Sequence, residues 1–274
     1  MKGNILSIIT SVLIPILIIY IAFSISWLMG CIVFLIVLAW TLWRLRADIY
    51  CLVAQKTFET NHSDAFKWFE KALKTKRMRP YNVLFYAYML LREGVLDRSE
   101  ELIRKTTYMY REKISPDVKL SAELNLALIK WKRGNLPGAI LDLEEMYRDG
   151  YKSSVLYGTL GYMYLIHGDI DKAYKFNREA VEYNDNDNII ADNWGNVLLL
   201  KGDIDEAYSV YEELMDKNPT FMEAYYNFGL VLDAKGEKEK AIEMMEKTLT
   251  MEEKYLSELT HEKVSETIEN IKSK

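Results

Sequence analysis

The hydrophobic pattern of this 274-residue chain changes character once, near Arg44. Before that point Ile, Leu, Val, Phe and Trp run together without a polar face. After it, apolar residues recur at helical spacing among charged ones. A continuous apolar run predicts lipid as solvent, whereas apolar stripes at a 3.6-residue period predict amphipathic helices that need partners. Within the second region a phrase repeats: GDIDKAY at 168–174 returns as GDIDEAY at 202–208, an offset of 34 residues. A phrase that keeps register over such an interval points to a duplicated structural unit.

No charge occurs between Lys2 and Arg44. As one straight helix this stretch would measure about 60 Å at 1.5 Å per residue, roughly twice a bilayer's hydrocarbon core, so two crossings fit better. The expected spans are near 5–23 and 26–43, with the turn at Ser24, Ile25 and Ser26, or else at Gly30. Tyr20, Phe23 and Trp27 would mark one interface and Trp40 and Trp43 the other, where amphipathic rings settle. Lys2 at one end and Arg44 with Arg46 at the other place both ends on the positive, cytoplasmic side. This predicts a multi-pass protein of the cell membrane with its remainder in the cytoplasm. A cleaved signal peptide is the rival, but the apolar stretch is long and no A-x-A site follows.

Stepping by 34 from Ala173 gives Ala139, Ala173, Ala207 and Ala241 within GNLPGAI, GDIDKAY, GDIDEAY and GEKEKAI. A second small residue recurs in phase as Ala127, Gly161, Gly195 and Gly229, and a turn glycine as Gly134, Gly168, Gly202 and Gly236. Small residues in fixed phase let two helices cross closely. On these positions the chain resembles the tetratricopeptide-repeat family, a 34-residue unit of helix, turn and helix. Large residues fill further packing positions: Leu126, Leu160, Trp194 and Phe228 in the first helices, Leu143, Tyr211 and Met245 in the second. The family's tryptophan is replaced by Glu123, Tyr157, Ala191 and Tyr225, and Asn177 holds a site expected to be aromatic.

The resemblance implies an all-α solenoid of helix-turn-helix repeats preceded by an N-terminal transmembrane hairpin. The expected division is a hairpin at 1–45, degenerate repeats at 46–119, four clear repeats at 120–153, 154–187, 188–221 and 222–255, and a capping helix at 256–274. Ala65 and Ser99 mark the degenerate units at about 46–79 and 80–113, and 114–119 is a six-residue insertion. No Gly or Pro falls between Gly30 and Pro80, so the second span is expected to run on into the first repeat. Neighbours must stack because one amphipathic helix pair cannot bury its own apolar face.

Chemistry is sparse. His62, His167 and His261 are scattered, HEKVS lacks the second His of a zinc-protease helix, and no phosphate-cradling or nucleophile-elbow motif occurs. DNDN at 185–188 lacks the Gly and Glu of a calcium loop and reads as a capping turn. Cys31 and Cys51 imply no disulfide framework. The expectation is therefore no catalytic residue, no cofactor, no metal and no small-molecule substrate.

Net charge is minus 5, unevenly spread: residues 44–79 are basic and the rest of the chain acidic. Lys74, Lys76, Arg77 and Arg79 form the densest cluster. Without aromatic interleaving or a nucleic-acid fold it reads as lipid-facing, not as a nucleic-acid site. What remains is a surface. The resemblance implies that first helices line a concave groove, which here presents Tyr88, Asn125, Trp131, Thr159, Tyr162, Asp192, Asn193, Asn196, Tyr226, Asn227 and Asp233. An amide can both donate to and accept from a peptide backbone, although the same asparagines could serve inter-repeat packing. The Lys and Arg clamp that some family members use for carboxylate tails is missing from the clear repeats, so a basic or neutral polar ligand is expected. The reading is a membrane-anchored scaffold for a protein or peptide partner. Its alternatives are a non-catalytic assembly subunit of a membrane complex and an anionic-lipid module. The abundance of Ile, Lys, Asn and Tyr fits an AT-rich bacterial genome. Partner identity and oligomeric state are not readable from these residues.

Overall fold

The computed structural model describes residues 13–112 and 114–273. Among them are fourteen helices and no strand. The chain divides into two compact units, residues 1–86 and 87–274.

In the first unit, α1 (Ile14–Ile25) and α2 (Trp27–Phe58) are separated by Ser26 alone. Ser26 adopts extended φ −160° and ψ 152°, and its Oγ accepts from Met29 N at 3.1 Å, capping α2. The break thus falls within the expected turn. Gly30, the other candidate turn, lies inside α2 because it serves packing: a Cβ there would meet the Phe23 ring at 2.2 Å. The two helices pack together along a stripe of more buried positions, Pro15, Ile19 and Ala22 on α1 and Gly30, Val33, Val37 and Thr41 on α2. Their other faces are exposed, with Trp27 at 76% and Tyr20 and Leu28 at 70%. The part of the first expected span at 5–12 lies outside the described residues. Among the described residues one helix, α2, is long and apolar enough to cross a membrane.

Its 32 residues correspond to about 48 Å at 1.5 Å per residue, more than a bilayer core requires. The excess continues unbroken as half of a helix pair. Ala47, Cys51 and Ala54, at i, i+4 and i+7, are buried, and α2 packs on α3 (His62–Lys74), whose Ala65, Phe69 and Ala72 are fully buried. α4 (Pro80–Arg92) starts on a proline, which costs nothing where the N–H has no intrahelical acceptor. Within this unit Tyr86 stacks on Phe69 at 4.7 Å.

In the second unit helices alternate as pairs: α5 (Leu96–Met109), α6 (Pro116–Lys132) with α7 (Leu136–Arg148), α8 (Ser154–His167) with α9 (Ile170–Tyr183), α10 (Asn188–Lys201) with α11 (Ile204–Asp216), and α12 (Met222–Ala234) with α13 (Lys238–Thr248). Gly134, Gly168, Gly202 and Gly236 end first helices in the left-handed region, at φ between 82° and 88°. A side chain there would be strained, which is why glycine recurs. Gly94, at φ 75°, makes the same turn 40 residues before Gly134. The six extra residues lengthen α6, which begins at Pro116 under a Ser115 cap, one turn earlier than the period requires.

The alanines that set the period, Ala139, Ala173, Ala207 and Ala241, are all 0% exposed. Ser99 takes the equivalent place in α5 and is also fully buried, its hydroxyl donating to Ala87 O at 2.7 Å. Opposite each of two small residues of first helices lies one large side chain: a Cβ on Gly195 would meet the Tyr211 ring at 2.6 Å, and one on Gly229 would meet Met245 Cγ at 2.7 Å, whereas Gly161 faces the amide of Asn177. The last helix, α14 (His261–Ser273), adds Val264, Ile268 and Ile271 to the core around Phe228 and Met245. Between α13 and α14 the chain is irregular, and residues 256–260, expected in the capping helix, belong to this connection.

Candidate functional site

The first helices of the second unit carry most of the nominated polar and aromatic side chains, and three of these residues bind the stack together. Asn193 is 1% exposed and donates from Nδ2 to Gly158 O, 2.8 Å away in the preceding first helix. Asn227 Nδ2 donates to Asp192 Oδ1 at 3.0 Å, one first helix back. The Tyr211 hydroxyl lies 2.9 Å from Asp192 O and 3.0 Å from Oδ1. Burial pushes the Asp192 carboxyl up to about 7, outweighing the hydrogen bonds that favour its ionised form. These amide N–H groups are therefore engaged between repeats, the packing role that the sequence left open beside peptide binding.

Other nominated residues range from half-buried to buried. Tyr88, Thr159 and Asn196 are half-buried, and Asn125 is 6% exposed. Asp233 is half-buried and has an interaction partner. Tyr226 shares a 3.1 Å hydrogen bond with Thr267 of α14. The Trp131 and Tyr162 rings meet edge-on at 5.9 Å.

Across this face runs the connection between α13 and α14. Tyr255 lies against Gly94, whose added Cβ would come within 3.0 Å of the ring. Lys132 Nζ sits 5.1 Å from the Tyr255 ring centroid, donates to Ser257 O at 3.2 Å and pairs with the Glu258 carboxylate at 3.1 Å. Glu258 N donates to the Tyr162 hydroxyl at 3.0 Å, and the Ser257 hydroxyl donates to Glu223. Gly94, Lys132, Tyr162 and Glu223 come from four different helix pairs yet converge on one short segment, so the face they form is concave. A cavity of about 710 Å³ beside the segment is lined by Trp131, Lys132, Leu136, Ile166, Glu258 and Lys263, with Gly134. Burial, followed by the acidic neighbours Glu223, Glu258 and Asp192, raises the Tyr162 phenol, which remains protonated.

Neither Lys132 nor Glu223 is among the residues nominated from the sequence, where no Lys or Arg clamp stands out in the clear repeats. The Lys132 side chain is 11% exposed and its anionic partner belongs to an acidic segment of the chain itself.

In the first unit the basic cluster gathers at the end of the apolar stretch. Arg77 lies 4.1 Å and Arg46 4.5 Å from the Trp43 ring centroid, Arg44 lies 5.3 Å from that of Trp40, and Arg79 pairs with Asp48 at 3.2 Å. Lys74 and Lys76 are exposed, Lys76 with φ 56°. Among the described residues no three His, Cys, Asp or Glu side chains gather as metal ligands. The DNDN run caps α10, with Asp187 Oδ1 accepting from Ile189 N and Ile190 N at 2.9 and 3.2 Å.

Residues 223–255 match a tetratricopeptide-repeat family model. Among curated proteins none matches the chain in sequence. Of solved structures, a tetratricopeptide-repeat protein from Parabacteroides merdae is 14% identical, with 83% of this chain and 85% of that chain covered and a TM-score of 0.62. A thermophilic tetratricopeptide-repeat protein of Thermus thermophilus is 15% identical, with 72% and 100% covered and a TM-score of 0.54. At such identities the likeness concerns the fold.

Proposed function

We propose that this chain, a tetratricopeptide-repeat protein by its fold and its matched final repeat, is a membrane-anchored scaffold whose concave face holds a protein or peptide partner. One observation carries the reading: the first helices already receive the backbone of a non-helical segment, accepting from its N–H at Tyr162 and donating to its C=O from Lys132. The anchor is the hairpin of residues 1–45, supported by apolar side chains exposed on α1 and α2 with no protein to cover them. Degenerate repeats at 46–119 connect it to the four repeats at 120–255 and the cap at 256–274. Lys2, Arg44 and Arg46 favour the cytoplasmic side for everything beyond the hairpin. The scaffold supplies place and contact, raising the local concentration of its partner without chemistry of its own.

A photo-crosslinking residue at Thr159 or Asn196, in the full chain in native membranes, is expected to give discrete protein adducts that the same residue at outward-facing Lys175 does not. Adducts from Lys175 alone would defeat the scaffold reading. Carbonate washing is expected to leave the chain in the membrane. Cys51 is buried, so sidedness is read at Tyr108→Cys, where the native residue is 83% exposed. Labelling of that cysteine by an impermeant maleimide in intact cells would reverse the orientation.

A second reading, contact with anionic lipid, is supported by the arginines against Trp40 and Trp43, side chains suited to the membrane interface. Changing Lys74, Lys76 and Arg77 to Gln should abolish any preference for anionic over neutral nanodiscs. An unchanged preference removes the lipid contact.

A further inference from the structure

The segment 251–260 is bound to the concave face as a ligand would be. Its contacts fall into two groups. At its ends it is closed on itself: the His261 ring N–H donates to Met251 O at 2.9 Å, His261 N donates to Glu253 Oε1 at 2.5 Å, and Leu259 is 6% exposed within the core. Between these ends, Ser257 N closes a turn on Lys254 O at 3.0 Å, and the segment's other contacts reach residues 94–223, reading the main chain and three side chains. Lys132 takes the Ser257 carbonyl and the Glu258 carboxylate, Tyr162 takes the Glu258 N–H, Glu223 takes the Ser257 hydroxyl, and Gly94 leaves room for the Tyr255 ring.

Lys132 gives the arrangement direction. Its side chain is 11% exposed, and the hydrogen-bonded partners that hold its ammonium are both on the segment. If the segment left, a buried charge would lose its carbonyl and its carboxylate together, which is costly unless another chain restores them. The Tyr255 and Glu258 side chains are partly exposed, by contrast, and water can solvate them on release. The face therefore needs an occupant more than the occupant needs the face.

We infer that residues 251–260 are an intramolecular occupant of the partner site, and that the partner is a turn-forming segment of the same chemistry, an aromatic residue followed three positions later by a carboxylate, which displaces them. The inference rests on the peptide-binding reading above and deepens it by naming the ligand class. A tethered occupant acts at an effective concentration of the order of millimolar. A partner's apparent affinity is lowered by the fraction of time the face is covered. The tether thus sets a threshold that only a closely matching or abundant partner passes.

The test uses the full chain in detergent and a fluorescent peptide of its own sequence, MEEKYLSELT. Tyr255→Ala with Glu258→Ala loosens the occupant but leaves the face intact. This variant should bind the peptide at least about tenfold tighter than the parent, as expected when a cis competitor is removed. A peptide with lysine in place of Glu258 should bind at least about tenfold weaker. In the parent, excess peptide should accelerate hydrogen exchange at the Glu258 amide. Equal binding to parent and variant, or no binding to either, overturns the inference, as does indifference to the charge reversal. Adducts from Thr159 or Asn196 alongside such a failure would leave the scaffold reading standing, whereas loss of those adducts removes both.

Discussion

Glu179 on α9 and Asp192 on α10, in successive repeats, each accept from tyrosine, two hydroxyls for Glu179 and one for Asp192, and the repeats drive them in opposite directions. Glu179 accepts from Tyr147 at 2.6 Å, from Tyr157 at 2.7 Å and from Lys152 at 2.9 Å. The Tyr147 hydroxyl first, then Lys152 and Tyr157, hold its carboxyl down at about 2 against burial. Asp192 has Tyr211 and Asn227 but no cation among its hydrogen-bonded partners, and burial raises it to about 7. The same donors stabilise one carboxylate and fail for the other because desolvation scales with depth, and only the shallower site admits a lysine.

The pH dependence follows from the two directions. Glu179 supports the fold above its unfolded value near 4.5 and loses that support as pH falls towards about 2. Asp192 binds its proton more tightly in the folded state. Its contribution therefore grows as pH falls from about 7 towards 3.8 and is absent above about 7. From this pair alone, the second unit should be most stable between those windows, near pH 4 to 5.

The largest change expected is at the Asp192 junction itself. Gly195→Leu would drive a side chain into the Tyr211 ring and separate the donor from its carboxylate, costing about 3 kcal/mol or more by thermal denaturation. A melt like the parent's would show that this close approach is not needed. Asp192→Asn keeps an acceptor oxygen and removes the buried charge, so stability at pH 8 should rise by about 2 kcal/mol, with the slope between pH 4 and 7 flattened. Retention of the slope would place its origin elsewhere.

At the other junction Glu179→Gln should cost about 1 kcal/mol at pH 7, since the 39% exposed carboxylate is partly screened, and should flatten the acid limb below pH 4.5. An unaltered acid limb would deprive Glu179 of that role. The smallest effect concerns Asn177, which fills the place held by Leu143 and Tyr211 in neighbouring pairs. Its Nδ2 donates to Ala173 O at 2.9 Å, but Oδ1 is buried without a partner among the described residues. Asn177→Leu should stabilise by about 0.5–1 kcal/mol in denaturant titrations. A loss would mean that the amide is satisfied by water.

The departures from the repeat pattern were readable, but their consequences were not. Asn177 stood out in sequence as polar where large apolar residues recur, and Asn125, Asn193 and Asn227 stood out as a polar column. Whether an amide in that column faces a ligand or the next repeat depends on how closely adjacent first helices approach. Gly158 O lies 2.8 Å from Asn193 Nδ2, which commits that amide to packing. Lys132 was not legible, because without the segment against it nothing in the 34-residue period distinguishes it.

Sequence alone determined the period, the turn glycines, the paired small residues, the apolar hairpin and the unbroken helix beyond it. Each depends on interactions within a few turns of helix or with the adjoining repeat, so local spacing encodes it. Tertiary structure alone decided what lies on the concave face. Glu258 meets Tyr162 across 96 residues and Lys132 across 126, separations set by the accumulated rotation of stacked pairs. No residue in the segment 251–260 carries a periodic mark of that destination, because its place is fixed by where the stack ends.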